Sequence, residues 1–249
     1  MKVIINADDL GISPEVNAAI FGLMAQGRVT SATLMANGPA VEEAAKSSKD
    51  FPRCSFGVHL NIDEFRPLTT HPGLQPILDG DGCLAGNALR QVRITAPLRE
   101  AVFGEFRAQV ERVASLGVRV SHLDSHHHMH TVPGLYPVLK RLQRRFDIRK
   151  VRTTMNIYSD RDPARAGLRL RKAVWNFALR HHYRTVTTEG FTSLQIFAEV
   201  AKQNKFSHRS VELMVHPGGQ GFEEETRLLG TEWWRELPVR IEQISYDEL

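Results

Sequence analysis

The chain has 249 residues, of which 42% are apolar and 24% charged, and its net charge is +4. That is ordinary globular composition, and the two cysteines, Cys54 and Cys83, exclude a disulfide framework or a cysteine metal site. No stretch approaches the roughly 20 apolar residues of a membrane span, and the apolar run after Met1 is too short for a signal peptide, so a cytoplasmic protein is expected.

Taken in order, Lys2–Ala7 predicts a short buried strand. Ser13-Pro14 supplies an N-cap and a proline at the first helical position for a helix to about Gln26. Val29–Ala36 predicts a second strand ending at the Asn37-Gly38 turn, Pro39–Lys49 a helix, and Ser55–Asn61 a third strand. Residues 62–97, rich in proline and glycine, predict an irregular insert, which in a compact domain is usually functional or mobile. Leu98–Leu116 is an amphipathic helix stopped by Gly117, and Val118–Ser125 a fourth strand. Gly134–Phe146 predicts a helix, Lys150–Thr154 a strand, and Ala164–His181 a basic helix. Arg184–Thr188 predicts a strand, Ser193–Asn204 a helix, Val211–His216 a late strand, and Arg240–Leu249 a closing strand.

Strands alternating with helices call for a parallel sheet with crossover helices. The length suits one α/β domain over residues 1–249, a (β/α) barrel of seven or eight strands, closed or distorted. No Gly-x-Gly-x-x-Gly follows the first strand, which argues against an open dinucleotide-binding sheet. Residues 140–184 carry fourteen Lys/Arg against three acids, a local excess of +11. Such a run is either a solvated face or a surface for nucleic acid, anionic lipid or an acidic substrate. Its aromatics are too sparse for a base-stacking platform, so nucleic acid is not the expected partner.

In a barrel, catalytic groups belong at the C-terminal ends of the strands. Asp8 and Asp9 end the first strand, His59 and Asn61 the third, Asp124, Ser125 and His126 the fourth, Arg152 the fifth, and His216 a late one. Five of the eleven histidines fall within His122–His130. Asp9, His59 and His126 form a facial set that would hold a divalent metal and leave positions open for water and substrate. Adjacent like charges resist joint ionisation, so a cation on one aspartate leaves the other free to accept a proton. The bland alternatives are helix capping for the Asp pair, core packing for His59, a metal-free histidine tract, and loop capping for His216. An extended backbone beyond the fourth strand would make His128 and His130 alternate with His127 and Met129.

Five stretches together carry a resemblance: Asn6-Ala-Asp-Asp-Leu-Gly11, Thr30-Ser-Ala-Thr-Leu-Met-Ala-Asn-Gly-Pro39, Gly57-Val-His-Leu-Asn61, His122-Leu-Asp-Ser-His-His-His-Met-His130 and Val215-His-Pro-Gly218. In this order they resemble the YdjC-like carbohydrate deacetylases, which include chitooligosaccharide deacetylase and the hopanoid-biosynthesis-associated deacetylases. The resemblance implies a barrel of the glycoside hydrolase/deacetylase type, one divalent metal (zinc or magnesium), and removal of an acetyl group from a small N-acetylated sugar. It implies Asp9, His59 and His126 as metal ligands, Asp8 as general base and His216 as the acid that protonates the leaving amine. Asn61, Asp124, His128, His130 and Arg152 are expected to support the ligands or meet the substrate. Alternatives are a phosphoesterase-like metal hydrolase and a non-catalytic metal- or sugar-binding barrel. A homodimer is the commonest assembly for such a chain. Neither the sugar nor the metal is written in these motifs.

Overall fold

A computed structural model of the protein describes residues 1–160, 164–203 and 206–249. In chain order the elements are β1 (Lys2–Leu10), α1 (Pro14–Ala25), β2 (Ser31–Leu34), α2 (Val41–Ser47), β3 (Ser55–Leu60), α3 (Ala88–Gln91), α4 (Ala96–Ser115) and β4 (Val120–Ser125). They continue as α5 (Tyr136–Phe146), β5 (Lys150–Val151), α6 (Ala166–His181), β6 (Gly190–Ser193), α7 (Leu194–Lys202), β7 (Ser210–Val215), α8 (Glu223–Leu229) and β8 (Glu242–Gln243). Seven strands pair in parallel in the order β5-β4-β3-β2-β1-β7-β6, and β8 pairs with the start of β1. The sheet curls into a barrel with an imperfect seam. Between its edge strands, Val186 bridges Lys150, and the Asn156 amide donates to the Phe191 carbonyl at 3.2 Å. The expected α/β barrel is thus present, in the distorted form.

Local chemistry sets the helix starts. Ser13 accepts from the Val16 amide and Pro14 opens α1; Thr95 accepts from the Leu98 amide ahead of α4. β1, β2 and β3 are buried throughout most of their length, as parallel strands covered on both faces must be. Gly57 on β3 is required by a close approach. A Cβ there would lie 2.7 Å from both the carbonyl oxygen and ring Cε1 of His122, whose ring stacks on Tyr246 at 3.7 Å. Gly57→Ala is expected to cost about 1–3 kcal/mol through overpacking, read as a lower midpoint in thermal unfolding.

The insert is ordered. Leu74, Ile77, Leu84 and Leu89 are buried, and α4 fastens the segment through two buried polar side chains. Glu105 accepts from the Leu68 and Thr69 amides, and Gln109 bonds both the amide and the carbonyl of Asn61. The predicted strand at Arg184–Thr188 is corrected: Tyr183 and Arg184 have φ of 61° and 44°, which break extension, and the sheet strand is β6. The closing strand at Arg240–Leu249 is corrected to the two-residue β8 and a 3-10 turn at Tyr246–Glu248. β5 is also shorter than expected, so Arg152 lies just past its end. Arg161, Asp162 and Pro163 of the basic segment, and Asn204 at the expected helix end, lie outside the described residues. No helix among the described residues is long and apolar enough to cross a membrane.

Candidate metal centre

The register of β1 shifts between Ala7 and Leu10, and Asp9 adopts φ of 64°. This bulge turns two adjacent carboxylates toward the same end of the barrel, where a regular strand would send them to opposite sides. β3 contributes His59, and the turn after β4 contributes His126. One ligand atom from each of Asp9, His59 and His126 lies within 4.8 Å of the other two. His59 Nε2 is 3.2 Å and His126 Nδ1 2.9 Å from Asp9 Oδ1.

Behind them, His59 Nδ1–H donates to Asp124 Oδ1 at 2.8 Å, and Thr33 donates to Asp124 Oδ2 at 3.0 Å. That leaves His59 Nε2 to face the site, the carboxylate–histidine arrangement that orients metal ligands. His126 Nε2 is buried and has no hydrogen bond, although Glu64 Oε1 lies 3.4 Å away. An orphaned imidazole nitrogen, a mixed N/O donor set and supporting carboxylates fit a divalent cation.

The electrostatics agree. Burial pulls His59 down, but Asp124 and the neighbouring aspartates hold it well above the ordinary imidazole value. Burial likewise opposes protonation of His126, yet its bond to Asp9 and the nearby Glu64 carboxylate push it up to about 9. Burial would raise Asp9, but the two histidines keep its carboxyl well below the usual range. This is a negative well that takes protons when it lacks a metal. The folded value for His126 exceeds its unfolded one, near 6.5. Its stabilisation is therefore complete below about pH 6.5 and lost as pH rises through about 9. Chelator-treated protein is expected to melt several degrees lower at about pH 9.5 than at about pH 6, and a flat melting curve would contradict this. Bound metal should reduce the difference, since protons and metal compete for the same nitrogens.

Asp8 is 2% exposed. Arg152 grips it with two bonds of 2.6 Å and also reaches Asp124 Oδ2 at 2.9 Å and Glu212 Oε1 at 2.8 Å. Burial would raise Asp8, but Arg152 holds it far below the usual carboxylate range. His216 Nε2 is 4.0 Å from Asp8 Oδ2. Its ring stacks on Phe222, and its backbone N–H donates to Glu225 at 2.6 Å. A cavity of about 920 Å³ opens over Asp8, Asp9, His59, His126 and His216.

The remaining expected residues take other places. Asn61 shapes the loop that carries Glu64, accepting from the Asp63 and Glu64 amides. His127 and His128 have φ of 48° and 56°, so the extended alternation is corrected to a tight left-handed turn. His127 bonds the buried Asp63. His128 borders the cavity, and burial and Arg152 bring it down to about 3, so it stays neutral. His130 is buried behind the site, bonded to Ser125 Oγ and to the Arg152 carbonyl. It cannot reach a substrate there. Two residues were missed. Glu212 carried a signal, as a lone acid in an apolar strand that must find a partner. Glu64, within the insert, carried none.

Residues 2–241 match the family model described as YdjC-like protein. A carbohydrate deacetylase from Geobacillus stearothermophilus is 43% identical over 152 residues, 60% of each chain, so the match spans less than two thirds of that relative. One from Halalkalibacterium halodurans is 34% identical over 217 residues, covering 87% of this chain and 85% of its own. One from Brevibacillus brevis is 28% identical, covering 100% and 93%. Among solved structures, an Enterococcus faecalis protein provisionally named for cellobiose-phosphate cleavage superposes with a TM-score of 0.76 at 21% identity, covering 99% and 98%. That likeness concerns the fold.

Proposed function

The chain belongs to the YdjC-like protein family, and from that premise we propose that it hydrolyses the acetamide of an N-acetylated sugar with one divalent cation. The convergence of Asp9, His59 and His126 beside Asp8 and His216 carries the reading. Relatives named carbohydrate deacetylase support it. A cation held by those three ligands would acidify water and polarise the acetyl carbonyl. Two imidazoles favour zinc over magnesium on ligand softness.

The chain's own groups do the proton work. Asp8 accepts the proton of the attacking water. Arg152 keeps it ionised, and a weak base is sufficient for an acidified water. His216 Nε2 protonates the departing amine nitrogen as the C–N bond breaks. Phe222 stacks on the imidazole, and Glu225 anchors the backbone that carries it. Asp124 fixes the tautomer of His59. The cavity is large enough for a small oligosaccharide.

A two-metal phosphoesterase is less well supported. Among the described residues, the two other candidate ligand sets share His59 or His126 with the first. In one of them, Arg152 already occupies both carboxylates, Asp8 and Asp124. The test is acetate release from a panel of N-acetylated mono- and oligosaccharides, with metal content measured on the same sample. Release that persists after complete metal removal refutes metal dependence. No release from any sugar by metal-loaded protein refutes the activity.

A further inference from the structure

Four large apolar side chains are exposed among the described residues, and three lie on α6: Leu170 at 68%, Val174 at 61% and Phe177 at 65%. Their spacing of four and three residues places them on one stripe of the helix. The helix carries four Lys/Arg and no acid. At 100° per residue, Arg169 and Arg171 flank Leu170 on either side of the stripe, and both are exposed. Arg165, also exposed, sits at the N-cap position just before the helix. The opposite side of α6 is seated in the protein: Asn176 and Leu179 are buried, and Lys172 and Trp175 line a cavity of about 450 Å³. That cavity shares His128 with the one over the metal centre.

We propose that α6 is an interfacial helix that docks the protein on an anionic lipid bilayer. An apolar stripe bordered by guanidinium groups is the chemistry of a helix lying in a membrane surface: the apolar side chains enter the acyl boundary and the cations meet lipid phosphates. Charge selects this occupant. A second copy seated on the same stripe would bring the cations of two such helices together, with no acid on either helix to relieve them. A nucleic acid would satisfy the cations and leave the apolar stripe unused. Docking would also set the cavity beside His128 close to the lipid surface, because both sides of one helix are involved.

Vesicle flotation of the full chain tests this. The protein is expected to float with equimolar phosphatidylglycerol–phosphatidylcholine vesicles and not with phosphatidylcholine alone. Added salt should weaken the binding, because the Debye length shrinks. The double variant Leu170→Ser, Phe177→Ser should lose about tenfold or more in partition, since both side chains leave lipid for water. Arg169→Glu with Arg171→Glu should also abolish binding, with an unchanged thermal midpoint. The proposal fails if the parent does not float with anionic vesicles. It also fails if the serine variant floats like the parent, or if the stripe instead holds a dimer that the serine variant dissolves in size-exclusion chromatography.

Discussion

Asp8→Asn is expected to lower kcat/KM for acetamide hydrolysis by about three orders of magnitude while the protein stays folded and holds its cation. The amide keeps the shape of the carboxylate but cannot take a proton. Arg152 retains Asp124 and Glu212 as partners, so the buried charge is not stranded. The metal ligands proposed here do not include Asp8, and metal content should match the parent. Kinetics and metal analysis on one preparation separate the outcomes. Near-parental turnover would remove Asp8 from the base role, and joint loss of metal and activity would make it a ligand. In the parent, Arg152 holds the Asp8 carboxyl so low that its protonation should not limit activity until well below the usual carboxylate range.

Arg152→Gln is expected to give the largest loss of stability, about 3–5 kcal/mol, because it leaves three buried carboxylates without their cation. For a chain of this size that lowers the melting temperature by about 10 °C. Arg152→Lys should recover little. One ammonium cannot reproduce a two-pronged grip on Asp8 together with bonds to Asp124 and Glu212. Chemical denaturation of the three proteins checks this, and a lysine variant as stable as the parent would show that charge alone matters. The network continues downward. Burial lifts Glu212 to about 7 against the pull of Arg152 and of Tyr246, whose hydroxyl donates to it at 2.5 Å.

Periodicity carried the barrel because parallel strands covered on both faces are apolar runs, and the helices between them have capping residues. Clustering of Asp8, Asp9, His59, His126, Arg152 and His216 followed from one rule, that barrel strands deliver chemistry at their C-terminal ends. What stayed hidden depends on backbone conformation or on long-range pairing. The left-handed Asp9 and the turn at His127 and His128 are decided by bulge and loop geometry, which residue type alone does not specify. Glu64 could not be separated from other acids in the insert, since its place is set by Asn61 and, through it, by Gln109 on α4. Arg184–Thr188 had strand-like residues, but left-handed Tyr183 just before it, left-handed Arg184 at its start and only a single bridge partner kept it out of the sheet.

The guanidinium of Arg152 leaves one rim of the curled sheet, next to β5, and lands on Glu212 of β7, one strand in from the far rim, meeting the β1 carboxylate Asp8 on the way. Backbone pairing is sparse along that seam, so the clasp that shuts the fold is also the hand that steadies the carboxylate proposed as proton acceptor. Any breathing motion that parts the rims unseats Asp8 at once. The proposed turnover should therefore fade on warming before helical content does, so that activity is lost while the protein still looks folded.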